Sequence, residues 1–270
     1  MLKQKQIGFL ASATLLLSIG FGCTVPSTTD GNSTDRGSLS LVANGEDFIR
    51  QGFTTKDGWK IVFDRAIVTV ANIQAYQTDP PFNPEEAGAI KAKESVTFLN
   101  EAKTVDLAAG DEDAEPIVVA QTEVPLGMYN ALTWELEPEK GESARSIILE
   151  GQATKSEKTI QFTLKFDPKI VYTCGQYVGD QRKGVVSESQ DGEVEITFHF
   201  DHLFGDADVP LEESPNSEAV GFEPFAALAK DGTLNAELTT LQTQLDPATY
   251  QLLENALDSL GHVGEGHCRT

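Results

Sequence analysis

Histidine is scarce in this chain, with four in 270 residues, and cysteine is scarcer still at three. Basic residues are also short: 20 Lys and Arg stand against 42 Asp and Glu, for a formal charge of −22. Such a surface repels phosphate backbones and anionic headgroups, which excludes nucleic acid as a partner and argues against adsorption to an acidic lipid surface. No H-E-x-x-H helix, G-x-S-x-G elbow, phosphate-binding glycine loop or dinucleotide fingerprint occurs. The standard hydrolytic and nucleotide-dependent chemistries therefore have no residues to stand on, no catalytic residue can be named, and a binding protein is expected over an enzyme. Long apolar runs are missing too. The one candidate, Ile7 to Phe21, is too short to cross a bilayer comfortably.

That run has a setting of its own. In "MLKQKQIGFLASATLLLSIGFGC" two lysines precede it, and Gly20 and Gly22 flank Phe21 just before Cys23, which is the build of a secretory signal. The stretch resembles the signal of bacterial lipoproteins, in which the cysteine becomes the first mature residue and is acylated. Gly20 departs from the family's preferred aliphatic residue, and Ile19 lies one position early. The resemblance covers residues 1–23 and says nothing about the fold. It implies a signal peptide over 1–22, lipidation (palmitate or a similar acyl chain) at Cys23, and a membrane partner held through that anchor. The location it implies is the bacterial cell envelope, outside the cytoplasm, for example the periplasm. Ordinary cleavage near Gly22, leaving Cys23 a plain thiol, is the alternative. Residues 23–37 are polar apart from Val25 and are expected to form a flexible tether, because they bury too little to offset chain entropy.

Lipidation of Cys23 would leave Cys174 and Cys268 as one pair, expected to form a disulfide in an exported protein. In the competing reading Cys268 is a thiolate metal ligand beside His267.

The dominant periodicity is two. Ile160, Phe162, Leu164 and Phe166 alternate with polar residues, as do Met128, Leu132, Trp134 and Leu136 in "GMYNALTWEL", and Val194, Ile196, Phe198 and Phe200. This is the pattern of half-buried antiparallel strands. Further strands are expected at 38–43, 59–63, 66–75, 95–99, 116–122, 145–153 and 169–173, separated by Gly, Pro and Asp turns. The fold expected is all-β: an antiparallel β-sandwich over 38–200 with a helical segment over 201–270 packed on it. Within that segment, Asp246 caps a helix beginning at Pro247 that Gly261 is expected to end.

All four histidines fall in two clusters, "FHFDHLFGD" at 198–206 and "GHVGEGHC" at 261–268. His199 and Asp201 are expected on the polar face of a strand end, with His202 able to swing towards them. His262 and His267 follow the last helix, linked by glycines around Glu265. Imidazoles in two groups, with Asp201 and Glu265 as auxiliary ligands, suit zinc or copper. Capture or delivery of such an ion is the function expected. Calcium is a further possibility through Asp206, Asp208, Glu212 and Glu213. Two alternatives stand beside metal capture. One is a scaffold that binds protein or polysaccharide through loops such as 77–88; the other is a metal-dependent enzyme outside the cytoplasm. The bland alternative is a solvated His199, a turn His202 and a helix-capping His262.

Overall fold

In a computed structural model the described residues are 35–86, 88–138, 145–175, 184–264 and 266–270, with only the backbone of His267. The first third of the order is β1 (Arg36–Asn44), α1 (Glu46–Gln51), β2 (Phe53–Thr54), β3 (Lys60–Thr78), β4 (Ala92–Leu99) and β5 (Lys103–Asp106). Then come β6 (Ile117–Pro125), β7 (Gly127–Met128), β8 (Ala131–Leu136), β9 (Ile147–Lys155), β10 (Lys158–Phe166), β11 (Ile170–Cys174) and β12 (Val185–Val186). The chain finishes with β13 (Gly192–Phe198), α2 (Asp201–Phe204), α3 (Glu223–Ala226), β14 (Thr233–Glu237), α4 (Leu238–Gln244), α5 (Pro247–Asp258), β15 (Gly261–Val263) and β16 (Gly266–Arg269). The fold is all-β with small helical parts.

Alternation places the strands as expected. Ile160, Phe162, Leu164 and Phe166 of β10 are all buried, and so are Leu132, Trp134 and Leu136 of β8. The hydrogen-bonded order runs β14-β10-β9-β3-β8-β11-β16-β15-β13-β1-β6, with β2, β4 and β5 on the other edge of β3. This ribbon of strands curls so that its two halves face each other across one core. Trp134 of β8 meets Phe198 of β13 edge to face at 5.3 Å, and Phe63 of β3 lies 6.4 Å from Phe200. Most ladders are antiparallel; β1 with β13 and β10 with β14 run parallel.

The stretches 59–63 and 66–75, expected as two strands, are one. Asp64 and Arg65 look like a break, but they lie at a bulge where the register against β9 shifts between Phe63 and Arg65. A second shift, between Ala71 and Gln74 against β8, contains Asn72 at φ +50°. Bulges bend a strand and raise its twist. They let β3 pair with β9 along its first half and β8 along its second.

The segment after Asp201 is helical only in part, since it also supplies β14, β15 and β16. Asp246 caps α5 as expected, accepting from the Ala248 and Thr249 amides, and Leu253, Ala256 and Leu257 face the core. Gly261 does not stop this helix, which ends at Asp258 with Ser259 as its C-cap. It opens β15 instead, and it has to be glycine because a Cβ there would lie 2.6 Å from both Trp134 Cζ2 and Tyr172 Cε1. Trp134 and Tyr172 stack at 4.1 Å and are fully buried. Burial pushes the Tyr172 phenol up, keeping it a donor to the Leu257 carbonyl at 3.2 Å.

The β15–β16 hairpin joins the two halves of the sheet. β15 pairs with β13, and β16 pairs with β11, where Cys174 and Cys268 are register partners. These two form a disulfide of 2.04 Å, so Cys268 is not a thiolate ligand. The described residues form one compact unit. Among the described residues no helix is long and apolar enough to cross a membrane.

Two outcomes follow. The cysteines are 94 residues apart, and closing so long a loop restricts the unfolded chain; reduction should lower stability by about 2–5 kcal/mol, read from denaturant midpoints with and without reductant. Gly261→Ala forces the Trp134–Tyr172 pair apart and should cost about 1–3 kcal/mol in the same measurement.

Candidate metal centre

β13 ends at Phe198, one residue before His199, and Asp201 begins α2 rather than continuing the strand. The polar face of β13 is not solvated as alternation suggests. Glu195, Thr197 and His199 are buried, each under a tenth exposed. The reason is the register. β13 lies between β1 and β15, which aligns Asn44, Thr197 and His262 in one row across the sheet, and His267 is the register partner of His262 in β16. The His199 amide extends the ladder by donating to the Leu260 carbonyl at 3.0 Å.

This pairing brings the two histidine clusters together. His199 and His262 stack at 4.0 Å and 28°, and His202 lies 5.0 Å from His262 and 5.6 Å from His199. One ligand atom from each of His199, His202 and His262 lies within 4.8 Å of the others. His262 is buried in a strand and does not cap a helix. Ring orientation is set from outside the group. His202 Nδ1 lies 3.0 Å from the Ser259 carbonyl oxygen. The Ser259 hydroxyl lies 3.2 Å from the same nitrogen; in the tautomer that donates to the carbonyl, Nδ1 carries the proton and Nε2 keeps its lone pair for an ion.

A second group shares His199. Glu46, His199 and Asp201 also offer ligand atoms within 4.8 Å of one another, and Glu46 Oε2 is 3.5 Å from His199 Nδ1. Sequence reasoning missed Glu46. Its backbone lies at φ +58°, a region non-glycine residues rarely occupy and one that clusters at functional sites. Asn44 stabilises it there: its Oδ1 accepts the Glu46 amide at 3.0 Å, while its Nδ2 donates to Glu195 Oε1 at 2.9 Å. One carboxamide thus holds the Glu46 backbone in place and gives the buried Glu195 carboxylate a donor. The only local signal was an Asn-Gly turn followed by two acids, "NGED", directly after a strand.

Within the row, the Thr197 hydroxyl is buried and makes no hydrogen bond among the described residues. A buried hydroxyl with no protein partner there has its bonding capacity left for a water or an ion. Two openings reach the group. A cleft of about 710 Å³ is lined by Asn44, Glu46, Asp47, Asp206 and Asp208 among others, and a pocket of about 220 Å³ by His202, Glu218, Asn255 and Ser259.

Not every expected ligand joins the centre. Asp206, Asp208, Glu212 and Glu213 form no metal-sized group, since among the described residues only the two groups above do so. Asp206 Oδ1 is bonded to the Asp208 amide at 2.9 Å within a turn tied down by Asn216, and Glu212 and Glu213 point into solvent. Loop 77–88 is pinned by Arg269, which donates to the Glu86 and Gly88 carbonyls. Cys23, Glu265 and the side chain of His267 lie outside the described residues.

No protein family, curated protein or solved structure matches this chain. Fold and site alone define the class: an all-β protein with a histidine and carboxylate cluster able to hold a metal ion. Its disulfide points to an oxidising compartment outside the cytoplasm.

Asn44→Ala removes a donor to a buried carboxylate and the acceptor that holds Glu46. It should lower stability by about 1–3 kcal/mol. Asn44→Asp, which keeps the acceptor but faces Glu195 with like charge, should be no better; thermal unfolding of both variants checks this.

Proposed function

We propose that this chain binds a divalent transition ion, zinc or copper, at His199, His202 and His262, and captures or delivers it at the bacterial cell envelope. The observation that carries the reading is the convergence of those three imidazoles within 4.8 Å. Ligands on a tetrahedral ion with bonds of about 2.0 Å stand roughly 3.3 Å apart, so small ring movements would complete the shell. The Ser259 carbonyl presets His202 for Nε2 ligation. His267, the register partner of His262, and Glu265 are further donors in this proposal, and Asp201 and Glu46 supply negative charge that offsets the ion's.

Anchoring is part of the same proposal. Residues 1–22 are a signal peptide, Cys23 carries the lipid, and the residues between Cys23 and the start of β1 at Arg36 tether the folded part near the membrane. The acidic surface, at −22 overall, attracts cations and keeps the domain off anionic headgroups.

A second reading, a metal-dependent enzyme, is favoured by one feature: His202 borders the 220 Å³ pocket, which leaves room for a small substrate beside an open coordination position.

Elemental analysis of the full chain, isolated from an oxidising compartment without a histidine tag, should find zinc or copper bound. With free ion at a hundred times Kd, the ion should stabilise the fold by about 2.7 kcal/mol, visible as a rise in Tm. His199→Ala with His262→Ala should abolish both the metal and the rise. Uptake by that double variant equal to the parent's would sink the reading.

A further inference from the structure

We propose that Glu46, His199 and Asp201 form a second cation position, and that His199 stands between two ions. The inference rests on the three-imidazole site proposed above.

An imidazole has two nitrogens on opposite edges of its ring. The geometry around Nδ1 of His199 decides what faces it. Glu46 Oε2 stands 3.5 Å away. That is well beyond the roughly 2.7–2.9 Å of a charge-assisted N–H···O⁻ bond. It is close to the roughly 3.3 Å that separates two donors on one tetrahedral ion with bonds of about 2.0 Å. Asp201 closes the group, with all three donors inside 4.8 Å of one another. The spacing fits an ion between nitrogen and carboxylate better than it fits a shared proton.

Local construction points the same way. Asp201 and His202 are adjacent at the start of α2, and Asp201 Oδ1 accepts the His202 amide at 3.1 Å. One short turn thus supplies a donor to each position, the carboxylate to one and the imidazole to the other. Glu46 comes from the opposite side, at a left-handed backbone held by Asn44. The two positions also open differently. Glu46 and Asn44 line the acidic 710 Å³ cleft, whereas His202 lines the 220 Å³ pocket.

The donor sets differ in kind. Three imidazoles suit zinc, copper or nickel, while two carboxylates and one nitrogen form a harder set that also takes manganese. Charge agrees, since Glu46 and Asp201 bring two negative charges to the second position. If Nε2 of His199 serves the imidazole side, Nδ1 is the nitrogen left facing Glu46. The second ion takes the Nδ1 lone pair and the proton on Nδ1 leaves to solvent, so the ring becomes an imidazolate between two metals.

The test is the number of ions per chain. The full-length protein is loaded with Zn²⁺ in excess Mg²⁺, which occupies weak surface carboxylates, then dialysed and counted by native mass spectrometry and elemental analysis. Two ions per chain are expected for the parent, one for Glu46→Gln, one for Asp201→Asn and none for His199→Ala. Circular dichroism of the metal-free variants identifies any that fail to fold; Asp201→Asn, an isosteric change at a partly exposed position, serves if Glu46→Gln does. One ion in the parent, or two retained in both carboxylate variants, overturns the second position and leaves the three-imidazole reading standing. No ion in the folded parent overturns both.

Discussion

The pairing of the β15–β16 hairpin between β13 and β11 is the constraint on which the rest depends. Without it the strand order breaks in the middle, because among the described residues the hairpin is the link between the half containing β11 and the half containing β13. The hairpin is very short, and isolated two-stranded ribbons are marginal in water. Three things hold it: the ladders on both sides, the close seat of Gly261 on Trp134 and Tyr172, and the bond between Cys174 and Cys268. Each acts within a few residues of His262. The interactions that close the sheet are therefore the ones that place a ring of the candidate centre.

The polar face of β13 shows how the centre is accommodated. Burying Glu195, Thr197, His199 and His262 on a strand face is costly unless their polar atoms find partners. Asn44 meets part of that demand by bridging Glu195 and the start of α1, and Ser259 meets part of it at His202. A purely structural face would be built more cheaply from valine and threonine. The concentration of imidazole and carboxylate there conflicts with local folding preference, and such conflicts are expected where a site is built.

Alternation made most of the sheet legible from the residues alone. Ile160 to Phe166 and Val194 to Phe200 show which face is apolar, and the core follows. The same pattern cannot tell whether the other face will be covered, which is why His199 reads as exposed and is buried. β15 and β16 were invisible because "GHVGEGHC" has no apolar alternation; only the ladders on either side make these residues strands. Glu46 was illegible for a related reason. It lies far from His199 along the chain, and its approach depends on a parallel register between β1 and β13 that no local signal encodes. The histidine clusters could be seen, but the distance between them could not.

The donors come from three separate places along the chain: the turn after β1, the end of β13, and the hairpin after α5. An ion held among them ties those segments together much as a second covalent bridge would, closing large loops whose freedom otherwise favours unfolding. Metal occupancy and mechanical integrity then become one variable. In the proposed site, losing the ion would loosen the hold of β15 on β13 and on the start of α1, the side on which the hairpin is anchored.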